Sequence, residues 1–137
     1  MIDLTSFASG ALAFLLAFLT AALFTVGFMA LYRLVTPHDE GKLIREGNVA
    51  AAVALGGAVL GYVIPLGSAL TQTHSLAEFA AWAALAAIIQ IAVFWGVRRL
   101  ALPDVSARIE RGETASAIYL MLISVAIGII NAASMTA

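Results

Sequence analysis

The residues able to do chemistry in this 137-residue chain are few. His38, Asp39 and Glu40 place one imidazole and two carboxylates in succession, a donor set that could take a divalent cation. Neighbouring residues seldom converge on one ion, and no second His/carboxylate cluster lies on the same side beyond the scattered Asp104, Glu110 and Glu113. His38 and Glu40 are therefore read as the start of a helix at the inner membrane interface, and no metal site is assigned. His74 and Glu78 are spaced for one helix face, but two ligands without a third define no site, so both are read as solvated. Asn48 and Glu113 stand just before apolar runs. There a side-chain oxygen caps a helix, or a negative charge suits its electropositive start, and capping outweighs a part in ion uptake.

A second set of polar features lies inside apolar runs. Pro65 removes one ladder hydrogen bond, leaving the Gly61 carbonyl without its usual donor, and Ser68 is one turn further on. Asn131 and Ser134 occupy the matching places in the last apolar run. The functional reading is a polar vestibule, and the structural one is a bent helix with Asn131 bonding across helices; the structural reading is preferred. Gln90 carries an amide that must find partners in lipid, and it too is read as interhelical glue.

The absences decide more. No Asp, Glu, Lys or Arg falls at the middle of an apolar run, so the usual ion relay of a coupled transporter is missing. There is no phosphate-cradling Gly-rich loop, no His-Glu-x-x-His pattern and no nucleophile beside a base, so no enzyme activity and no cofactor is expected. With no cysteine there is no disulfide and no thiolate ligand, and a net charge of −1 offers no basic field for nucleic acid.

The elements that position these residues follow from composition. The chain is 63% hydrophobic and 11% charged, against roughly 25% charged in soluble domains, so lipid must be the solvent for most of it. A span needs about 20 apolar residues, and four segments qualify: Phe7 to Tyr32, Val49 to Leu70, Leu76 to Val97 and Thr114 to Met135. Continuous Ala/Leu-rich runs are helices, not barrel strands. Met1 to Gly10 lacks a basic region, and the run that follows far exceeds a signal-peptide core, so the first span is read as retained.

All seven basic residues lie in two connections, Arg33 to Arg45 and Arg98 to Arg111. The positive-inside rule makes those connections cytoplasmic and puts Met1, His74 and Ala137 outside, with Tyr32 and Trp95 as inner and Trp82 as outer interfacial anchors.

A shift of 66 residues aligns Phe28 to Leu34 with Phe94 to Leu100, and Pro37 with Pro103. After a one-residue adjustment Ile44, Gly47, Ala50 and Leu55 align with Ile109, Gly112, Ala115 and Leu120. The expected fold is all-α: one polytopic membrane domain over 1–137, with four transmembrane helices as two tandem parallel helical-hairpin repeats, about 7–70 and about 76–135. Each connector is expected to begin a short amphipathic helix with its proline in the first turn and a glycine as its stop. Ala50, Ala54, Gly57, Ala58 and Gly61 form a small-residue stripe on the second span for close backbone approach, open to a helix of the same chain or of another protomer, and a homo-oligomer is expected from such small faces. Phe14, Phe18, Phe24 and Phe28 suit lipid or an outer packing layer.

Thr36-Pro37-His38 with Glu40, Gly47-Asn48 followed by Ala50-Ala51-Ala52, and Leu60-Gly61-Tyr62-Val63-Ile64-Pro65-Leu66 point to a family. So do Ala81-Trp82, Gln90 and the closing Asn131-Ala132-Ala133 with Met135-Thr136. The chain resembles the YjfL-like bacterial inner-membrane family, catalogued as domain of unknown function 350, over nearly its whole length. The resemblance implies a four-span inner-membrane protein linked to envelope maintenance or stress, and it transfers no catalytic or ligand-binding residue. Glu113 stands where the repeat leads one to expect another Asn, which argues against two symmetric sites. The expected function is a non-enzymatic membrane component, embedded in the lipid bilayer and engaging a membrane or cytoplasmic protein partner at its basic connectors. The alternative is a small channel or transporter running past Pro65, Gln90, Ser124 and Asn131.

Overall fold

The computed structural model describes residues 3–135, so Met1, Thr136 and Ala137, on which part of the sequence reading falls, lie outside the described residues. Six helices follow in order: α1 (Leu4–Val35), α2 (Glu40–Arg45), α3 (Val49–Gln72), α4 (Leu76–Gly96), α5 (Val105–Glu110) and α6 (Thr114–Ser134). A wider π-turn over Val97–Ala101 extends α4. Among the described residues there is no strand, and α1, α3, α4 with its extension, and α6 are each long and apolar enough to cross a membrane.

The helix ends are set by local chemistry. Asp3, Asp39, Asn48 and Ser75 cap α1, α2, α3 and α4, their side chains accepting from Thr5, Lys42, Ala51 and Glu78 backbone N–H groups. Glycines with positive φ, Gly47 at 85° and Gly112 at 81°, follow α2 and α5, a conformation that glycine alone adopts freely.

The prolines act differently from expectation. Pro37 and Pro103 precede the cap residues Asp39 and Asp104, outside the first turns of α2 and α5. A proline drives the residue before it out of the helical region, so Thr36 is extended (φ −85°, ψ 135°) and α1 ends. The prolines stop the long helices; they do not start the short ones.

The broadest interface joins α3 to α6. A Cβ at Gly57 would strike Met121, one at Gly61 would strike Ser124, and one at Gly128 would strike the Gly61 backbone. The small-residue stripe of Ala50, Ala54, Gly57, Ala58 and Gly61 is thus buried within the chain. α4 packs against both α3 and α6, and α1 packs against α3 and α4.

α1 differs from the expected lipid-facing helix at one end only. Phe14 and Phe18 are exposed, but Phe28 and Tyr32 are buried in the core. Phe28 stacks on Tyr62 with ring centroids 4.4 Å apart, and the Tyr62 hydroxyl is tethered to the Ala83 carbonyl at 3.1 Å. That tether holds the Tyr62 ring as a flat surface, and aromatic stacking draws Phe28 in. Tyr32, expected as an interfacial anchor, is 1% exposed and meets Phe94 edge-on. Trp95 does sit half-exposed, beneath the Arg99 guanidinium.

Candidate functional site

The two connectors fold against one another at the same end of the bundle. Asn48 joins them: its Nδ2 donates to the Ile109 carbonyl at 2.9 Å and the Glu110 carbonyl at 3.3 Å, closing α5, while its Oδ1 caps α3. Glu113, at the corresponding start of α6, makes no such cap. Its Oε1 instead accepts from Ser116 Oγ at 2.6 Å and Arg108 Nη1 at 2.8 Å, and Arg108 also binds Asp104. The Ser116 hydroxyl and the Arg108 guanidinium hold the Glu113 carboxyl below the usual carboxylate range, and Arg108 does the same for Asp104.

His38 and Glu40 depart furthest from the sequence reading. Both side chains are fully buried, not spread on the interface. Asp39 turns outward to cap α2, and the residues on either side of it turn in together, so that His38 Nε2 stands 3.1 Å from Glu40 Oε1. The physical reason lies in the neighbours. Ser106 of α5 places its Oγ 3.0 Å from His38 Nδ1, and Thr36 donates from Oγ1 to Glu40 Oε2 at 3.3 Å. Phe94 lays its ring edge-on to the imidazole. The Tyr32 hydroxyl is buried at this end of the core. An open cavity of about 530 Å³, lined in part by Arg33, Thr36, His38, Asp39 and Glu40, leads to the pair.

Tyr32, Thr36 and Ser106 were not singled out as site residues from sequence. Tyr32 and Thr36 carry a local signal, since they lie four residues apart at the end of α1 and just before His38. Ser106 carries none, because 68 residues separate it from His38.

The intramembrane polar residues scatter. Gln90 is 2% exposed, with its amide against Gly61, and neither amide atom has a hydrogen-bond partner. The interhelical bond expected of Gln90 is absent among the described residues, and Gly61 beside it carries no side-chain donor or acceptor. Asn131 is also buried, and its Nδ2 has no partner among the described residues. The cross-helix bond comes from Ser68, which donates to the Ala132 carbonyl at 3.2 Å. Pro65 is buried within a continuous α3, and Ser134 is exposed, bonding back to Ile130 of its own helix. His74 and Glu78 are exposed at the opposite end, the Glu78 carboxylate accepting from the His74 backbone N–H.

Comparison with known proteins adds the family. The family model described as Domain of Unknown Function (DUF350) matches residues 6–135. The UPF0719 inner membrane protein YjfL of Escherichia coli strain K12 is 41% identical over 125 residues, covering 91% of this chain and 94% of that protein. The protein of the same name in Escherichia coli O157:H7 matches equally. The UPF0719 transmembrane protein YshE of Bacillus subtilis strain 168 is 34% identical over 62 residues, 45% of this chain and 46% of that protein. No solved structure matches.

Proposed function

We propose, from the premise that this chain belongs to the DUF350 family of multi-pass inner-membrane proteins, that it is a non-enzymatic membrane component whose joined connectors form a docking platform for a protein partner. The observation that carries this reading is the Asn48 bridge. It ties the start of α3 to the end of α5 and makes one rigid surface of two loops. That surface holds every Lys and Arg of the chain.

The same confinement of basic residues supports a cytoplasmic platform, with both termini on the other side. It also accords with two tandem parallel repeats. In support, α2 and α5 are each six residues long and each is closed by a positive-φ glycine. The stripe on α3 is spent on α6, so self-association falls to the lipid-exposed first half of α1.

The platform is tested by placing a photo-crosslinking residue at Arg99 or Arg111 in living cells. Capture of the same protein from both positions supports the reading, and capture of nothing beyond lipid from either sinks it. A phosphatase fused after Ala137 should be active and a fluorescent protein there dark; the reverse pattern inverts the topology.

One observation favours a second reading, a small channel or transporter. A buried amide without partners, as at Gln90, is costly in hydrocarbon and is tolerated where solute or water passes. Flux through liposomes containing the purified protein, abolished by Gln90→Leu and Asn131→Leu, would favour it over the platform.

A further inference from the structure

We infer that His38 and Glu40 are ligands of a divalent transition-metal ion of zinc's class, with the Tyr32 hydroxyl as the third protein donor. At the connector end Tyr32 Oη, His38 Nε2 and Glu40 Oε1 are buried polar atoms without a hydrogen-bond partner among the described residues. The last two stand 3.1 Å apart yet off the line that a hydrogen bond takes. Two donors bound to one zinc ion at roughly 2.0–2.1 Å come to that same separation when the angle at the metal is about 100°, close to tetrahedral. The pair is thus already spaced as ligands of one ion.

The surroundings orient the donors as outer-shell groups do around metals. Ser106 Oγ at His38 Nδ1 fixes the ring, and with the Nδ1 proton donated to Ser106 the Nε2 lone pair is left facing Glu40. Thr36 holds the second carboxylate oxygen. The Tyr32 ring and that of His38 both rest edge-on to Phe94. The Glu40 carboxylate sets a negative charge against the dication in this apolar surrounding. The nitrogen and oxygen donors suit zinc-like ions and not cuprous copper, which prefers thiolates. Water from the cavity supplies the remaining coordination position.

The rival account is an ordinary His⁺–Glu⁻ ion pair. Such a pair would draw the two atoms onto the hydrogen-bond line, and it gives Tyr32 no role. The second connector shows that the fold does not require polarity here. Pro37 and Pro103 differ by 66 positions and Asp39 and Asp104 by 65, so His38 is the residue without a counterpart. Glu40 corresponds to Val105, fully buried and apolar.

The test uses the full chain, purified with a histidine-free tag, stripped with chelator and held in nanodiscs of zwitterionic lipid. Cobalt(II) titration followed by visible absorption, and zinc content by mass spectrometry, should both reach one ion per chain. His38→Ala and Glu40→Gln should weaken uptake by on the order of a hundredfold or more, and Ser106→Ala by about ten- to a hundredfold, while Asp39→Asn and Glu113→Gln bind as the parent does. Should the ligand variants fail to fold, X-ray absorption of cobalt-loaded His74→Ala protein decides, since His38 is then its only imidazole. A histidine nitrogen at the metal supports the site. No uptake by the parent, uptake undiminished in folded His38→Ala, or a spectrum without nitrogen overturns it.

Discussion

Asn48 Nδ2 donates to the Ile109 carbonyl across 2.9 Å, while the oxygen of the same amide accepts from Ala51 N–H. One side chain thereby closes the end of one helix and the beginning of another, on connectors 61 residues apart. Asn is suited to this because its amide carries a donor and an acceptor together.

Replacing Asn48 separates its two jobs. Asn48→Asp keeps the acceptor for α3 and loses the donor to α5, and Asn48→Ala loses both. Unfolding in mild detergent should show Asn48→Ala less stable than the parent by about 1–2 kcal/mol, with Asn48→Asp between them. Equal losses would mean that only the α5 contact matters.

The α3–α6 contact predicts a contrast among glycines. Gly57→Ala, Gly61→Ala and Gly128→Ala each push a methyl group into opposing backbone and should destabilise by about 1–3 kcal/mol. Gly56→Ala and Gly67→Ala meet open space and should be neutral or slightly stabilising. Thermal denaturation of the five variants checks the order.

Gln90→Leu removes an amide that has no partner and keeps the volume close. On the platform reading it should stabilise the bundle by about 1–2 kcal/mol, because nothing is left unpaired. A loss of stability instead would show that the amide is satisfied in the membrane, as the channel reading requires.

Glu113 carries a pH dependence of definite sign. Its folded-state carboxyl titrates below its ordinary value of 4.5, so the Ser116 and Arg108 contacts contribute fully above that value and are lost as pH falls through the lower folded pKa. Stability measured from neutral pH downward should therefore fall below about 4.5. Glu113→Gln should remove part of that slope by lowering stability at neutral pH towards its acid value.

The helices and the packing stripe were legible because both are local properties. Apolar length marks a span, and Ala50, Ala54, Gly57 and Gly61 share a face through helical spacing alone. Which helix covers that face is not legible, since small residues invite any close backbone, within the chain or from another protomer; in the fold it is α6. The buried centre failed for a related reason. Three successive polar residues read as exposed, and only the chain's return at Ser106, far away in sequence, turns His38 and Glu40 inward. Tyr32 reads as an anchor because a tyrosine at a helix end suits both roles, and only the edge contact with Phe94 shows it buried.

Only Phe28 and Tyr32 of α1 are buried, and this gives the two ends of that helix different masters. The apolar stretch from Phe7 to Tyr32 measures about 39 Å at 1.5 Å per residue, against a hydrocarbon thickness of about 30 Å, so it is long enough to span with some tilt. Packing fixes the inclination where Phe28 and Tyr32 are gripped, and along the rest the bilayer sets it. A thinner or thicker membrane therefore swings α1 about that grip while the interlocked glycines keep α3 and α6 at one angle.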